Sequence, residues 1–434
     1  MDMITIRTKH YKERTVESEL KSLLHDFGAV LIRGPKGCGK TTIGEFVSNS
    51  AIYFSDPDRY EEYQDIVSNK PSILLRGEKP RLLDEWQVFP NIWDGVRDHC
   101  DKTLERGAFV LTGSFAPKKG ATKHTGTMRI ATLDMETLSL FESGESSGEV
   151  SLRALLLGQE EVRGSARVGQ DDITALLIRG GWPVAVFGKA DRPESYGRQA
   201  LRNLCERDMN EATGKTLSPA TTQAIVASFA RNLGTQALNT TIIADINERG
   251  RSLSESSFYE YLDGLKRLFV IRELPAWNPN IRSRTTMRSA PKKYFHDTSL
   301  AAAALNLSVG DLSYDYKTRG LFFENICLRD LIVYARSFGG EVSYYRDRFR
   351  LECDLVIHMG PNRIGLFECK CGQGHIKQGA EHLNTLKRLI EKHNEENPRS
   401  KIPLPTCMAI VTDGTEAYTR PDGIHIVPLS CLKP

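Results

Sequence analysis

Gly34-Pro35-Lys36-Gly37-Cys38-Gly39-Lys40-Thr41 matches the pattern G-x-x-x-x-G-K-[ST] and decides how this chain is understood. Ala29-Val30-Leu31-Ile32 just before it has the character of a short buried strand, and Thr42-Ile43-Gly44-Glu45-Phe46 after it opens a helix. A strand that runs through a Gly-rich turn into a helix aims several backbone N–H groups at one point, where the helix dipole is also positive. Such a point attracts phosphate. Gly34 through Thr42 is therefore expected to cradle ATP, with Lys40 reaching the β- and γ-phosphates and the Thr41 hydroxyl serving as a ligand for Mg²⁺. With Gly at ~7% of residues, a chance match in a chain of this length is on the order of 1%.

An ATPase of this kind also needs an acidic pair at the end of a neighbouring strand. Leu82-Leu83-Asp84-Glu85 supplies one, with Asp84 lying 44 positions after Lys40. Asp84 is expected to hold Mg²⁺ through water, and Glu85 to polarise the attacking water as the catalytic residue. A third strand, Ala108 to Thr112, ends in Gly113-Ser114.

These residues carry a family resemblance. The phosphate loop with Thr42, then Leu82-Leu83-Asp84-Glu85 with Gln87 and Pro90, then Leu111-Thr112-Gly113-Ser114, is similar to a group of prokaryotic AAA-plus ATPases with a C-terminal domain of unknown function. Ile178-Arg179-Gly180-Gly181-Trp182-Pro183, followed by a helix through Arg207-Asp208, resembles the same group. The resemblance spans nearly the whole chain. It implies binding and hydrolysis of ATP, but no agreed substrate. It implies that a polar side chain at the end of the third strand faces the γ-phosphate, with Ser114 the first candidate and Thr112 the second. Arg129 is the best placed arginine for a γ-phosphate contact, against the plainer identity of an exposed strand-edge residue. Such ATPases often borrow an arginine from a neighbouring subunit, so a homo-oligomer is expected.

Composition bounds the rest. The 434 residues suggest about three domains; 40% are hydrophobic and 26% charged, as in ordinary globular proteins. A net charge of +3 decides nothing about a nucleic-acid partner, so local clusters must. No apolar run approaches a membrane span and no signal-peptide core is present, which points to a cytoplasmic protein. Nine cysteines without a repeated spacing fit reduced thiols. Cys353, Cys369, Cys371 and His375 lack the C-x₂-C knuckle of structural zinc sites.

From about Ser218 to Pro275 short helices dominate. Phe258, Leu262, Leu265 and Phe269 form one apolar helical face, Leu238 to Ile246 forms a shorter helix before it, and Val270 to Leu274 has the character of a β wing. These are the ingredients of a winged helix-turn-helix. Its presumed recognition helix, Ser254 to Asp263, starts acidic, which is poor chemistry for a major groove. The basic residues Arg282, Arg284, Arg288, Lys292 and Lys293 follow it and are expected to contact phosphates or to form a solvated loop.

The last part alternates again. A helix carries Glu324, strands carry Asp354 and then Glu368-Cys369-Lys370, and a helix and a strand at Cys407 to Val411 close the unit. This α-β-β-β-α-β order is similar to restriction-endonuclease-like nucleases. Glu368 and Lys370 share a strand face. Glu324, Asp354 and Glu368 are expected to bind a metal through hard oxygen ligands, with Lys370 orienting or deprotonating a water. The tripeptide alone is weak, since Glu19-Leu20-Lys21 repeats it without a preceding strand Asp.

The expected architecture is α/β: a P-loop AAA-plus ATPase domain over 1–165, a helical lid or linker over 166–217, a winged helix over 218–313 and a restriction-endonuclease-like domain over 314–434. The expected partners are ATP with Mg²⁺, DNA or RNA, and a protein. The alternative is an ATP-driven switch whose nuclease-like domain is inactive.

Overall fold

The computed structural model describes all residues except 1–10, 114–124, 189–191, 278–289, 348, 350 and 361. The chain divides into two compact units, each built from discontinuous segments. The first comprises 1–137, 207–216 and 263–269; the second comprises 138–206, 217–262 and 270–434.

In the first unit, helix α1 (Glu17–Asp26) leads into β1 (Ala29–Arg33), and α2 (Lys40–Val47) follows the phosphate loop. Then come β2 (Ser50–Tyr53), α3 (Tyr60–Asn69), β3 (Arg81–Asp84), α4 (Asn91–Thr103), β4 (Phe109–Thr112) and β5 (Ile130–Asp134). The five strands form one parallel sheet in the order β2-β3-β4-β1-β5. β1 reads Ala-Val-Leu-Ile without a polar break because apolar residues cover both of its faces, as a central parallel strand requires. Ala29 and Leu31 join a core with Trp86 and Trp93, while Val30 and Ile32 join one with Ile43 and Leu133. Parallel strands leave all their carboxyl ends on one edge. Ligands of open α/β sheets bind at that edge, beside the strand where the connections reverse direction. β1, flanked by β4 and β5, is that strand.

In the second unit, β6 (Val150–Ser151) pairs with the last strand of the chain, and β7 (Arg163–Ser165) lies at one edge of a seven-stranded sheet. Helices α5 (Gln170–Arg179), α6 (Glu194–Asn203), α7 (Pro219–Arg231) and α8 (Asn239–Glu248) follow, then α9 (Glu255–Arg267), of which residues up to 262 belong to this unit and the rest to the first. An antiparallel hairpin of β8 (Ile271–Leu274) and β9 (Lys292–Phe295) comes next. The remainder runs α10 (Thr298–Ala304), α11 (Tyr316–Arg336), β10 (Glu341–Arg346), β11 (Glu352–His358), β12 (Ile364–Lys370), α12 (Ile376–Glu396), β13 (Pro405–Thr412), β14 (Glu416–Thr419), β15 (His425–Pro428) and β16 (Leu432–Lys433). The large sheet is ordered β10-β11-β12-β13-β15-β14-β7. β10, β11 and β12 form an antiparallel meander, and β12 runs parallel to β13.

The expected element order α-β-β-β-α-β is thus present from α11 to β13. The division into units differs from the expected boundary at 165, because residues 138–165 belong with the second unit and β7 is part of its sheet. None of the described helices is long and apolar enough to cross a membrane. All nine cysteines are free thiols.

Candidate functional site

The phosphate loop leaves β1 at Gly34, whose φ is +156°. A Cβ there would stand 2.1 Å from the Met135 carbonyl oxygen, so only glycine fits. Gly39, at φ +104°, is the N-cap of α2, which leaves the first N–H groups of the helix facing the loop. Lys40 folds back over the loop, and its Nζ donates to the carbonyls of Gly34 at 3.0 Å and Pro35 at 2.9 Å. Arg14, almost fully buried, braces the loop from behind by donating to Cys38 O at 2.8 Å and Glu136 O at 2.9 Å. Lys36, on the loop, pairs with Asp208 at 2.8 Å and lies 3.9 Å from Glu211. Burial works against the Lys36 ammonium, but Asp208, Glu211 and Glu85 outweigh it and hold it charged.

Asp84 ends β3 beside Thr112 of β4, as the parallel register requires. One of its oxygens, Oδ1, accepts from Thr41 Oγ1 at 2.8 Å and from Thr112 Oγ1 at 2.5 Å. Burial pushes the Asp84 carboxyl above its usual range; the two hydroxyls pull the other way, and Glu85 and Glu45 add to the rise. A cation placed there would relieve that burden. Glu85 follows in the left-handed region at φ +54°, a strained position for a residue with a side chain, and Gln87 Nε2 donates to its Oε2. A Cβ on Gly113 would meet Gln87 Oε1 at 2.4 Å, so this corner is tightly closed.

The structure therefore gathers Lys40, Thr41, Asp84 and Thr112 at the carboxyl edge of the sheet, with Glu85 next in the chain. Thr41 and Asp84 are the residues that would hold a hydrated Mg²⁺. Ser114 lies outside the described residues. Arg129 has the plainer of its two identities, an exposed strand-edge residue: its carbonyl bonds Ala29 N–H at the start of β1, the end away from the phosphate loop, and its guanidinium pairs with Asp101 at 2.6 Å. A γ-phosphate contact from that end of the strand would have to span the roughly 16 Å length of five strand residues.

A second cluster lies in the C-terminal unit. Lys370 Nζ, from β12, is 3.1 Å from Asp354 Oδ2 of β11 and 2.5 Å from Glu368 Oε2. Asp354 Oδ2 also accepts the Cys369 N–H at 2.9 Å. Glu324, from α11, instead meets Lys292 Nζ at 3.0 Å and accepts the Tyr294 hydroxyl. Lys292 also pairs with Glu352 at 2.6 Å. His382 Nδ1 stands 3.9 Å from Glu368.

Three expectations change here. The described residues contain no group of three or more His, Cys, Asp or Glu side chains placed to hold a metal ion. Two ammonium groups stand among Glu324, Asp354 and Glu368, so these carboxylates pair with lysines rather than with one another. Lys370 is partly buried, which opposes its charge, yet Asp354 and Glu368 drive it well above the usual lysine range. An ammonium held charged can orient a water but has no lone pair with which to deprotonate one. Finally, Lys292 and Lys293 are buried, the latter paired with Glu273, and neither can reach a nucleic-acid phosphate. Arg282, Arg284 and Arg288 lie outside the described residues.

Arg14 and Tyr294 went unnoticed in the sequence, and Asp208, quoted only for the resemblance, was given no role there. Asp208 stands 172 positions from Lys36, and no local pattern joins the two.

Residues 26–143 match the family described as "AAA domain". Residues 170–311 and 319–432 match two families described as domains of unknown function (DUF8612 and DUF4143). The chain is 23% identical over 364 residues to the uncharacterized proteins Rv2008c of Mycobacterium tuberculosis and Mb2031c of Mycobacterium bovis, covering 83% of this chain and 74% of each of theirs. Among solved structures, the Walker-type ATPase paby2304 of Pyrococcus abyssi is similar at 12% identity and a TM-score of 0.42, over 68% of this chain and 97% of that one. AMPPCP-bound DnaA from Aquifex aeolicus is similar at 13% identity and a TM-score of 0.27, over 58% and 92%. Scores this low do not establish a shared fold. The AAA domain match supports a nucleotide-binding ATPase of AAA-like type.

Proposed function

We propose that this chain binds Mg²⁺-ATP and hydrolyses it as an AAA-plus ATPase, and that its nucleotide state governs a winged-helix and nuclease-like C-terminal part. One observation carries the ATPase reading: Thr41 and Thr112 both donate to Asp84 Oδ1 at the mouth of a glycine-shaped phosphate loop. Gly34 to Thr42 would cradle the phosphates, Lys40 would hold the β- and γ-phosphates, and Thr41 would hold the metal. Mg²⁺ supplies charge neutralisation on the phosphate oxygens. Glu85 would orient and polarise the attacking water. Titration calorimetry of Mg²⁺-ATP against the parent and Lys40→Ala tests the binding. Phosphate release by Glu85→Gln tests the hydrolysis. Unchanged affinity in Lys40→Ala would remove the reading.

In the proposed winged helix, α7, α8 and α9 are followed by the β8–β9 hairpin, which supports the comparison. For the last domain, Asp354, Glu368 and Lys370 on adjacent strands support a metal-dependent nuclease acting on DNA or RNA. A second reading has its own observation: Lys370 already pairs with Asp354 and Glu368, and Lys292 with Glu324. In that reading the domain binds a partner and cuts nothing. Cleavage of mixed DNA and RNA substrates with Mn²⁺, by the parent and Asp354→Ala, separates the two.

A further inference from the structure

We infer that Lys292 is a tethered cation: its ammonium fills the seat in the C-terminal carboxylate cluster that a divalent metal would otherwise take, so metal enters only when Lys292 is withdrawn. Strand β9 presents Lys292 and Tyr294 from one face. Lys292 Nζ lies 2.6 Å from Glu352 Oε1 and 3.0 Å from Glu324 Oε1, and the residue is only 2% exposed. The Tyr294 hydroxyl donates to the same Glu324 oxygen. The Tyr344 ring stands 5.5 Å from the ammonium.

Taking a lysine out of water is costly unless its charge is matched, and here two carboxylates match it directly. Two carboxylates with water are also what a small divalent ion needs. The cluster is not a closed ion network, however. Glu368 is 1% exposed and its Oε1 has no hydrogen-bond partner, although its Oε2 holds Lys370. A buried carboxylate oxygen without a donor is an acceptor waiting for a cation or a water. Glu324 and Glu352 share the single ammonium of Lys292, while in the neighbouring group Asp354 and Glu368 share Lys370, with His382 3.9 Å from Glu368.

The tether gives the seat a control. Asn325, next to Glu324 on α11, bonds both the N–H and the carbonyl of Phe295 on β9 at 2.9 Å. β9 and α11 are therefore clasped at two adjacent helix residues: Lys292 and Tyr294 to Glu324, and Phe295 to Asn325. Whatever moves the β8–β9 hairpin moves the resident cation. The inference holds whether or not the domain cuts a polymer.

Mn²⁺ binding to the full-length, nucleotide-free protein tests it, read by the electron paramagnetic resonance of free Mn²⁺ and by melting temperature. The parent and Lys292→Arg, which keeps the charge, are expected to bind no Mn²⁺ in the micromolar range. Lys292→Met is expected to gain one Mn²⁺ per chain, with affinity raised by roughly tenfold or more because a repelling unit charge a few ångströms away has gone. That gain should disappear when Glu324→Gln is added. Lys292→Met should also melt lower than the parent and recover with Mn²⁺ but not with NaCl. Equal Mn²⁺ affinity in parent and Lys292→Met would overturn the inference. So would a folded Lys292→Met chain that binds none, or one that stays unfolded at saturating Mn²⁺.

Discussion

Thr112→Val removes one oxygen and keeps the shape of the side chain, and the structure says what that oxygen does. Asp84 is 5% exposed and receives Thr112 Oγ1 at 2.5 Å and Thr41 Oγ1 at 2.8 Å. Under the proposed function, Thr41 would turn to Mg²⁺ when Mg²⁺-ATP binds, and Thr112 would be the hydroxyl left to keep Asp84 aimed. A hydrogen bond to a charged group contributes about 1.5–3 kcal/mol, which corresponds to roughly ten- to hundredfold in rate when it is needed in the transition state. The methyl group that packs towards Gly44 survives in valine, so folding should be spared. Steady-state phosphate release by Thr112→Val should therefore fall by roughly ten- to hundredfold, while the dissociation constant for Mg²⁺-ATP changes by less than about threefold. Because the hydroxyl holds the Asp84 carboxyl down, the acid limb of the pH–rate profile should also move to higher pH. Thr112→Ser, which restores the donor, should return to near the parental rate. Parental turnover in Thr112→Val would refute the assignment; a Thr112→Ser as slow as valine would mean that packing, not the hydrogen bond, is what matters.

Lys40→Ala should lose Mg²⁺-ATP affinity by roughly a hundredfold in titration calorimetry, whereas Glu85→Gln should bind normally and release phosphate slowly. Arg14→Met should lower the melting temperature and weaken nucleotide binding, since it leaves the buried carbonyls of Cys38 and Glu136 without their donor; a wild-type melting curve would show the brace to be idle. Asp245 joins α7 to α8 through Ser228 and Arg231 and also meets Arg249. Burial raises its carboxyl, but these three donors bring it down to about 2 from an ordinary 3.8. A depressed carboxyl stabilises the fold above its unfolded value and loses that contribution as pH falls from 3.8 through about 2. Urea midpoints should therefore drop less steeply in that window for Asp245→Asn than for the parent, by a modest amount because the pair is only partly buried and solvent screens it.

The phosphate loop was legible because its chemistry is contiguous: glycine spacing, a lysine and a threonine all lie within one turn of chain. Asp84 and Glu85 were legible by their place at the end of an apolar run. Thr112 was visible only as a strand end, and its bond to Asp84 depends on β3 and β4 being neighbours, which strand order decides and sequence does not state. For Arg129 the sequence left two identities open for the same reason, since linear proximity to a strand does not say which end of the sheet it occupies. In the C-terminal unit the element order and Asp354, Glu368 and Lys370 could be read directly. The roles of Lys292 and Lys293 could not. A run of basic residues after a polar turn looks solvated, and only the pairing of β9 with β8 and its contact with α11 take both lysines inside. Burial of a lysine is a tertiary event, set by carboxylates that sit far away along the chain.

Because the phosphate-binding unit draws on 1–137, 207–216 and 263–269, it is not an exchangeable module. A fragment ending at 165 would contain the whole phosphate loop and yet lack Asp208, the partner of Lys36, together with two further stretches of its own fold. The same cut would strip β7 from β14 and leave β14 as an open edge, an invitation to aggregate. Gene fusion, domain shuffling and protease trimming all work on contiguous stretches of chain. Here they would have to take nearly everything or nothing, so the two units are heritable only together.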